Sequence, residues 1–344
     1  MRLGIIGLSG SGKLTLFEAF TGNISDSPQK HEDHIGTVKV PDQRIDQLSR
    51  MYQPKKTIYA QVEYFLPGVA YQGTDQKKEG LAVSRVRDCD ALILVVRNFE
   101  RYGFAAPTPA DDFKGIDQDL IISDLMVVEK RLERLALDQK RGKKEGLEEL
   151  ELLSECQKHL NNEVALRKFP ELASAPLLRG FAFLSGKPLL VLFNNEDEDD
   201  RPPDLADSLA KEEHMVIRGK LEQELVQMSA DEAEDFLTEF NITASAMDRI
   251  IKRSYQLLGL ISFFTVGEDE VRAWTIKAGT SAQDAAEVIH SDIKKGFIRA
   301  EVLAYEDLTA AGTYANARKN GTVRLEGKTY LVKDGDIINF RFNV

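Results

Sequence analysis

Three apolar runs punctuate the first part of the chain: residues 2–6 (RLGII), 91–96 (ALILVV) and 188–193 (PLLVLF). Runs that are apolar at consecutive positions, rather than alternating, predict strands covered on both faces, as in a parallel sheet. Residues 14–20 (LTLFEAF) follow the first run across a glycine-rich turn and read as a helix. Strand, turn and helix in that order, with further buried strands behind them, predict a doubly wound, mostly parallel α/β domain. Between the second and third runs the period changes. Leu125, Val128, Leu132 and Leu135, then Leu147, Leu150, Leu153 and Leu160, repeat at helical spacing on either side of the turn-like stretch 141–146 (RGKKEG). That pattern predicts a long antiparallel helical hairpin inserted into the α/β domain, its charged faces solvated or docking a partner. Beyond residue 262, a strand over 271–276, a helix over 281–290 opened by Thr280 or Ser281, and closing strands over 329–342 around Asp334-Gly335-Asp336 predict a small α+β module. The expected boundaries are 1–120 with 181–262 for the phosphate-loop domain, 121–180 for the hairpin and 263–344 for the C-terminal module.

The turn after the first strand is Gly7-Leu8-Ser9-Gly10-Ser11-Gly12-Lys13. Its G-x4-G-K spacing lets backbone N–H groups wrap a phosphate chain while the next helix presents its positive end. Ser9, Gly10, Ser11, Gly12, Lys13, Leu14 and Thr15 are the candidate phosphate-binding residues; a chance glycine turn is the rival reading. The position after Lys13 normally carries the hydroxyl that ligates Mg²⁺, and here it is Leu14. Thr15 points about 100° away around the helix, so it is not expected to substitute. After the third apolar run comes Asn194-Asn195-Glu196-Asp197, an N-x-x-D spacing of the guanine-reading kind. Asn194, Asn195 and Asp197 are the candidate base-binding residues, with Gly219 and Lys220 adding a further contact. An ordinary acidic Asn-rich turn would look the same.

Composition narrows the partners. Charges balance within 121–180 and within 263–344, so the net −11 of the 344 residues sits in the flanks of the phosphate-loop domain. A polyanion-binding face is therefore not expected on that domain. No stretch approaches the roughly 20 apolar residues of a membrane span, and no secretory signal opens the chain, so a cytoplasmic protein without membrane association is expected. Cys89 and Cys156 lack metal or redox spacing and read as reduced thiols. His31-Glu32-Asp33-His34 reads as a polar loop rather than a metal site, and no metal ligand set is assigned. Trp274 is expected as a core or partly buried aromatic, His290 in the core of its helix, and Lys294, Lys295 and Arg299 as a solvated basic cluster or an RNA contact.

With these residues on view, the chain resembles the Obg-like ATPases, also called YchF, from end to end. The phosphate loop followed by LTLFEAFTG resembles the family's start, VPDQRIDQL (40–48) and QPKKT (53–57) its middle, and EVRAWTIKAGTSAQDAAEVIHSDIKKGFIRAEVLAYEDL (270–308) with YLVKDGDIINFRFNV (330–344) its C-terminus. The resemblance implies a G domain, an inserted coiled-coil hairpin and a C-terminal TGS domain of β-grasp fold. It also implies association with ribosomes or RNA through hairpin and TGS domain, and hydrolysis of nucleoside triphosphates with unusual tolerance for ATP. The family carries N-x-x-E where this chain has Asp197, so the choice between GTP and ATP stays open. Its D-x-x-G motif falls on Phe65-Leu66-Pro67-Gly68. Gly68 is the expected γ-phosphate sensor, but the metal-binding Asp is Phe65; Glu63 is the nearest preceding acid. The switch regions around 25–36 and through 79–81 depart from the family pattern. Leu14 and Phe65 each remove an oxygen from one Mg²⁺ site, so the expectation is a monomeric nucleotide switch with weak or lost hydrolysis. A non-catalytic scaffold is the alternative, and a metabolic kinase is disfavoured.

Overall fold

The computed structural model describes residues 1–22, 32–68, 84–141, 146–204, 207–239 and 245–343. Its strands among these residues are β1 (Arg2–Ile6), β2 (His34–Lys39), β3 (Lys56–Ile58), β4 (Gln61–Leu66), β5 (Ala91–Asn98), β6 (Leu189–Asn195), β7 (Glu213–Ile217), β8 (Leu260–Val266), β9 (Glu270–Lys277), β10 (Phe297–Ala304), β11 (Arg324–Glu326) and β12 (Asp336–Phe342). The helices used below are α1 (Lys13–Thr21), α2 (Gln43–Tyr52), α3 (Pro109–Lys140), α4 (Leu147–Asn161), α5 (Gly219–Gln227) and α6 (Ala282–Ile289). The chain divides into two compact units, 1–37 with 63–247 and 38–62 with 248–344.

The first unit is built on a six-stranded sheet ordered β2-β4-β1-β5-β6-β7, in which β4, β1, β5, β6 and β7 pair in parallel. The continuous apolar runs are the reason: β5 is buried from Ala91 through Val96 and β6 along its whole length. Leu92, Leu94, Val96, Val191 and Phe193 share one core cluster with Phe113, Ile116 and Leu120 of α3. Each such aliphatic side chain contributes about 1.5–3 kcal/mol on burial. The chain leaves β1 toward β4 and later returns to its other side with β5. A ligand crevice is expected outside the carboxyl ends of strands at such a reversal.

The hairpin helix starts at Pro109 rather than near 121, because its first turns already present Phe113, Ile116 and Leu120 to the sheet. Past that point Ile121, Val128 and Leu135, every seventh residue, form the seam against Leu153, Cys156 and Leu160. Leu147, expected on this seam, is instead exposed. Arg131 bridges the two helices, donating to both Glu149 carboxylate oxygens at 2.7 Å. At the hairpin's foot, buried Arg167 donates to Asp117 and Glu212, each at 2.8 Å, and Lys168 Nζ lies 2.7 Å from Glu212. Buried Asp124 accepts the Leu184 and Ser185 N–H groups at 3.0 and 2.7 Å and pairs with Arg87 at 3.1 Å; burial still pushes its carboxyl pKa up. The turn residues 142–145 lie outside the described residues.

The second unit holds a mixed sheet ordered β11-β10-β12-β8-β9-β3, with β12 and β8 parallel at its middle. α6 packs Ala282, Ala285 and Ala286 against Phe263, Ile276 and Phe340, giving a β-grasp arrangement. Ser281 opens α6 by accepting the Asp284 N–H at 3.2 Å, a cap of the preferred kind. The closing segment supplies one strand, β12, rather than several. Before it, Leu331 makes an isolated bridge to Ser281, and Asp334 accepts the Ser262 N–H at 2.8 Å.

Residues 38–62, expected in the phosphate-loop domain, belong to this second unit. β3 pairs in parallel with β9, and Arg44 of α2 is held between Asp42 and Asp334, both at 2.8 Å. Among the described residues no helix is long and apolar enough to cross a membrane.

Candidate functional site

β1 delivers the chain to Gly7, whose φ is +149° and where a Cβ would lie 2.3 Å from the Val95 carbonyl oxygen. The loop therefore passes tightly against β5, and only a glycine fits. Gly10 and Gly12 follow at φ +81° and +92°, in the left-handed region that L side chains rarely adopt. Lys13 folds back over this loop, donating to the Gly7 and Leu8 carbonyl oxygens at 2.6 and 2.7 Å. α1 begins at Lys13 with no side-chain cap and no acidic residue in its first turn. Its first N–H groups and positive end are thus left to an anion. The buried Ser11 hydroxyl also has no hydrogen-bond partner among the described residues. Leu14 and Thr15 are both half-buried, and Ser9 is exposed at the loop's tip.

β6 ends in the expected base-side pair. Asn194, 5% exposed, donates from Nδ2 to the Ser11 carbonyl at 3.0 Å and accepts the Gly219 N–H at 2.9 Å. A Cβ on Gly12 would lie 2.2 Å from Asn194 Nδ2, and one on Gly219 2.8 Å from its Oδ1. One amide is thus wedged between the phosphate loop and the start of α5, and both neighbours must be glycine. Asn195 is occupied internally: Oδ1 accepts from Asn98 at 2.9 Å, while Nδ2 donates to the Asp199 and Arg201 carbonyls at 3.1 and 2.7 Å. It shapes the turn rather than offering its amide to a ligand. Asp197 and Lys220 do remain accessible, 3.7 Å apart at the rim.

The D-x-x-G positions split. Phe65 is buried in the same core cluster as Leu92 and Leu94, with the Arg2 guanidinium 5.6 Å from its ring centre. Glu63 forms an ion pair with that same Arg2. The Gly68 N–H donates to Asp33 Oδ1 at 2.9 Å, Arg85 donates to the Gly68 carbonyl at 3.1 Å, and Arg85 pairs with Asp33. The amide expected to sense phosphate therefore already holds an anion. Residues 25–31 and 79–81 of the two switch regions lie outside the described residues.

A third wall was not foreseen from the sequence. Behind β5, Arg97 donates to the Phe99 and Ala105 carbonyls at 3.1 and 2.8 Å, pinching residues 99–105 into a tight loop. The Glu100 N–H donates to Glu196 Oε1 at 2.7 Å, tying this loop to the base-side turn. Arg101 and Phe104 press against Gly10 of the phosphate loop. The available signal was a Tyr-Gly turn preceded by two arginines, Arg97 and Arg101, at a strand's carboxyl end, where α/β ligand sites form.

Residues outside this constellation fall as follows. His31 lies outside the described residues, and the His34 ring lies 5.8 Å from that of Phe17. Among the described residues no group of three or more His, Cys, Asp or Glu is placed to hold a metal. Trp274 is partly buried, donates to Thr265 at 3.0 Å and stacks under Arg272 at 3.8 Å. Lys294 is paired with Asp284 and Glu287, and Lys295 with Asp292, which mutes the basic cluster; Arg299 is exposed. His290 is exposed and caps the next short helix, rather than lying in the core. Burial pushes the Cys89 and Cys156 thiols up to about 11 and about 12, so neither is a thiolate near neutrality.

Comparison with known proteins covers the whole chain. The YchF-GTPase C-terminal family model, described as a protein of unknown function (DUF933), matches residues 260–343. The chain is 38% identical to the ribosome-binding ATPase YchF of Bacillus subtilis (strain 168), over 100% of both proteins. It is 34% identical to the ribosome-binding ATPase YchF of Escherichia coli O157:H7, over 100% of this chain and 99% of that protein. The solved structure of the Schizosaccharomyces pombe YchF GTPase superposes with a TM-score of 0.83 at 27% identity, over 99% of this chain and 97% of that one.

Proposed function

This chain belongs to the YchF family, and from that premise we propose a nucleoside-triphosphate-dependent switch that binds the ribosome in the cytoplasm, acts as a monomer and hydrolyses its nucleotide slowly or not at all. The observation that carries the nucleotide site is Asn194, whose one amide joins the phosphate loop to the start of α5. It supports a single crevice in which Ser9, Gly10, Ser11, Gly12, Lys13 and the first turn of α1 take the phosphates. Asp197, Lys220 and Gly219 then face the base.

A carboxylate at 197 can accept from guanine N1–H and N2–H₂ together, whereas adenine presents an acceptor at N1. GTP is therefore the favoured ligand and ATP the weaker one. The residues present do not fit the Mg²⁺ of related enzymes. Leu14 has no ligating atom, Phe65 is a core aromatic, and the neighbouring acids Glu63 and Glu18 are bonded to Arg2 and Gln223. Metal bridging normally supplies much of the catalysis in phosphoryl transfer, so slow turnover follows. A scaffold that never switches is the second reading, favoured by the Asp33 carboxylate already on the Gly68 N–H.

Calorimetry on nucleotide-free protein with GTP and ATP, each with Mg²⁺ and with chelator, tests the site. Ribosome pelleting with a non-hydrolysable triphosphate and with diphosphate tests the switch. GTP-selective binding indifferent to Mg²⁺, with ribosome affinity that changes with the phosphate count, is expected. Mg²⁺-dependent ATP binding with turnover above about 1 s⁻¹ would refute the account of Leu14, Phe65 and Asp197. Absence of nucleotide binding would favour the scaffold.

A further inference from the structure

The loop behind β5 brings a second cation to the phosphate loop. A Cβ on Gly10 would lie 3.0 Å from Arg101 Nη1 and 2.9 Å from Phe104 Cε1, so both side chains rest in the space that this glycine leaves open. The placement is built at several points. Arg97 holds the Phe99 and Ala105 carbonyls, and the Phe104 N–H donates to the Arg101 carbonyl at 3.0 Å across a turn. Gly103 sits in that turn at φ +82°. The Glu100 N–H is anchored on Glu196. The Arg101 guanidinium then stacks on Phe104 at 4.5 Å from the ring centre, which fixes a side chain that would otherwise sample many rotamers. Among the described residues no carboxylate pairs with Arg101 and no acceptor takes its N–H groups, in contrast to Arg85, Arg87, Arg97 and Arg167.

We propose that Arg101 is an intrinsic phosphate-binding cation that contacts the β- and γ-phosphates of a nucleoside triphosphate seated in the loop of residues 7–13. This rests on the nucleotide-site reading above. A guanidinium is always charged and presents a planar fork of donors matched to phosphate oxygens. Phosphate-loop proteins use such an arginine, from the same chain or a partner, to neutralise charge on the transferring group. Here Arg101 joins Lys13 at one loop and supplies charge on a site whose metal-side positions are Leu14 and Phe65. Its contribution therefore rises with the number of phosphates and is independent of Mg²⁺.

The test is calorimetry on the full chain in chelator, using GTP, GDP and GMP with the wild type, Lys13→Ala, Arg101→Met and Arg101→Lys, and ATP with the wild type. Arg101→Met is expected to weaken GTP at least tenfold, GDP less, and GMP not at all; Arg101→Lys restores part of the loss. Equal weakening across the three ligands would mean that Arg101 merely props the loop, and would overturn the proposal. So would unchanged GTP binding in Arg101→Met while Lys13→Ala loses it, a result that leaves the nucleotide site itself standing. No binding of GTP or ATP by the wild type would sink both readings together. If Arg101→Met does not fold, Arg101→Gln, which keeps part of the stem and a planar neutral head, takes its place with the same criteria.

Discussion

Replacing Asn194 and Gly219, singly and together, asks whether one buried amide organises the nucleotide site. Asn194→Ala removes two hydrogen bonds worth about 1 kcal/mol each and leaves the Gly219 N–H buried without its partner, a further ~1–3 kcal/mol. A loss of about 3 kcal/mol falling on the site would weaken triphosphate binding roughly a hundredfold. Gly219→Ala reaches the same bonds from the other side: its Cβ would lie 2.8 Å from Asn194 Oδ1, so the amide must move. That shift is costly because the amide is buried and bonded at both ends. Gly219 has no positive φ, so alanine brings no backbone strain, and it is a better helix former by roughly 0.5–1 kcal/mol. In the Asn194→Ala background the obstacle is gone. The double variant should therefore bind like Asn194→Ala alone, with a coupling of about 2 kcal/mol or more between the two positions. Titration calorimetry on the four proteins measures the cycle. Losses that add to within about 0.5 kcal/mol would refute the claim that Gly219 is constrained by the Asn194 side chain.

The remaining predictions concern the hairpin's foot and the contact of Asp33 with the Gly68 N–H. Arg167→Met leaves Asp117 without its partner and Glu212 with Lys168 alone, and should lower stability by about 3 kcal/mol in urea unfolding; a loss below about 1 kcal/mol would mean that solvent and Lys168 screen this network. Burial raises the Glu212 carboxyl pKa, but the Arg167 and Lys168 bonds outweigh it, so the folded value lies below the ordinary one of about 4.5. Its stabilising effect is then present above that value and fades as pH falls through the folded pKa. Glu212→Gln should melt below the wild type at pH 7, with the gap closing under acid, and a pH-independent gap would rule this out. Asp33→Ala frees the Gly68 N–H and should raise triphosphate affinity relative to diphosphate by roughly tenfold, the worth of one charge-assisted hydrogen bond. A fall instead, measured by calorimetry, would show that Asp33 assists the phosphate rather than competing with it.

Much of the first unit was legible because its signals are local. Continuous apolar runs at 91–96 and 188–193 require a sheet covered on both faces, and they became β5 and β6. The glycines at 7, 10 and 12 mark the tight, left-handed turns that the loop then shows. The hairpin followed from its heptad-like repeat, although its true start at Pro109 was hidden because Phe113, Ile116 and Leu120 share the helical period while facing a different partner. Asn195 carries a similar ambiguity: its identity suits base contact or turn bracing equally, and its bonds to Asn98, Asp199 and Arg201 are those of a turn brace.

By itself the sequence determined the glycine-rich loop, the parallel sheet, the hairpin and a small C-terminal α+β module, since each is written in spacings a few residues long; that the module is a β-grasp came from the family resemblance. Only the tertiary structure placed residues 38–62 with the second unit, through β3 on β9 and Arg44 on Asp334. It alone brought Asn194 between Ser11 and Gly219, Asp33 onto the Gly68 N–H, and Arg101 onto Gly10. Periodicity reports what a residue needs from its near neighbours. A hydrogen bond or ion pair across tens or hundreds of residues forms only after the chain has paid its conformational entropy, and no local pattern records which distant partner it will meet.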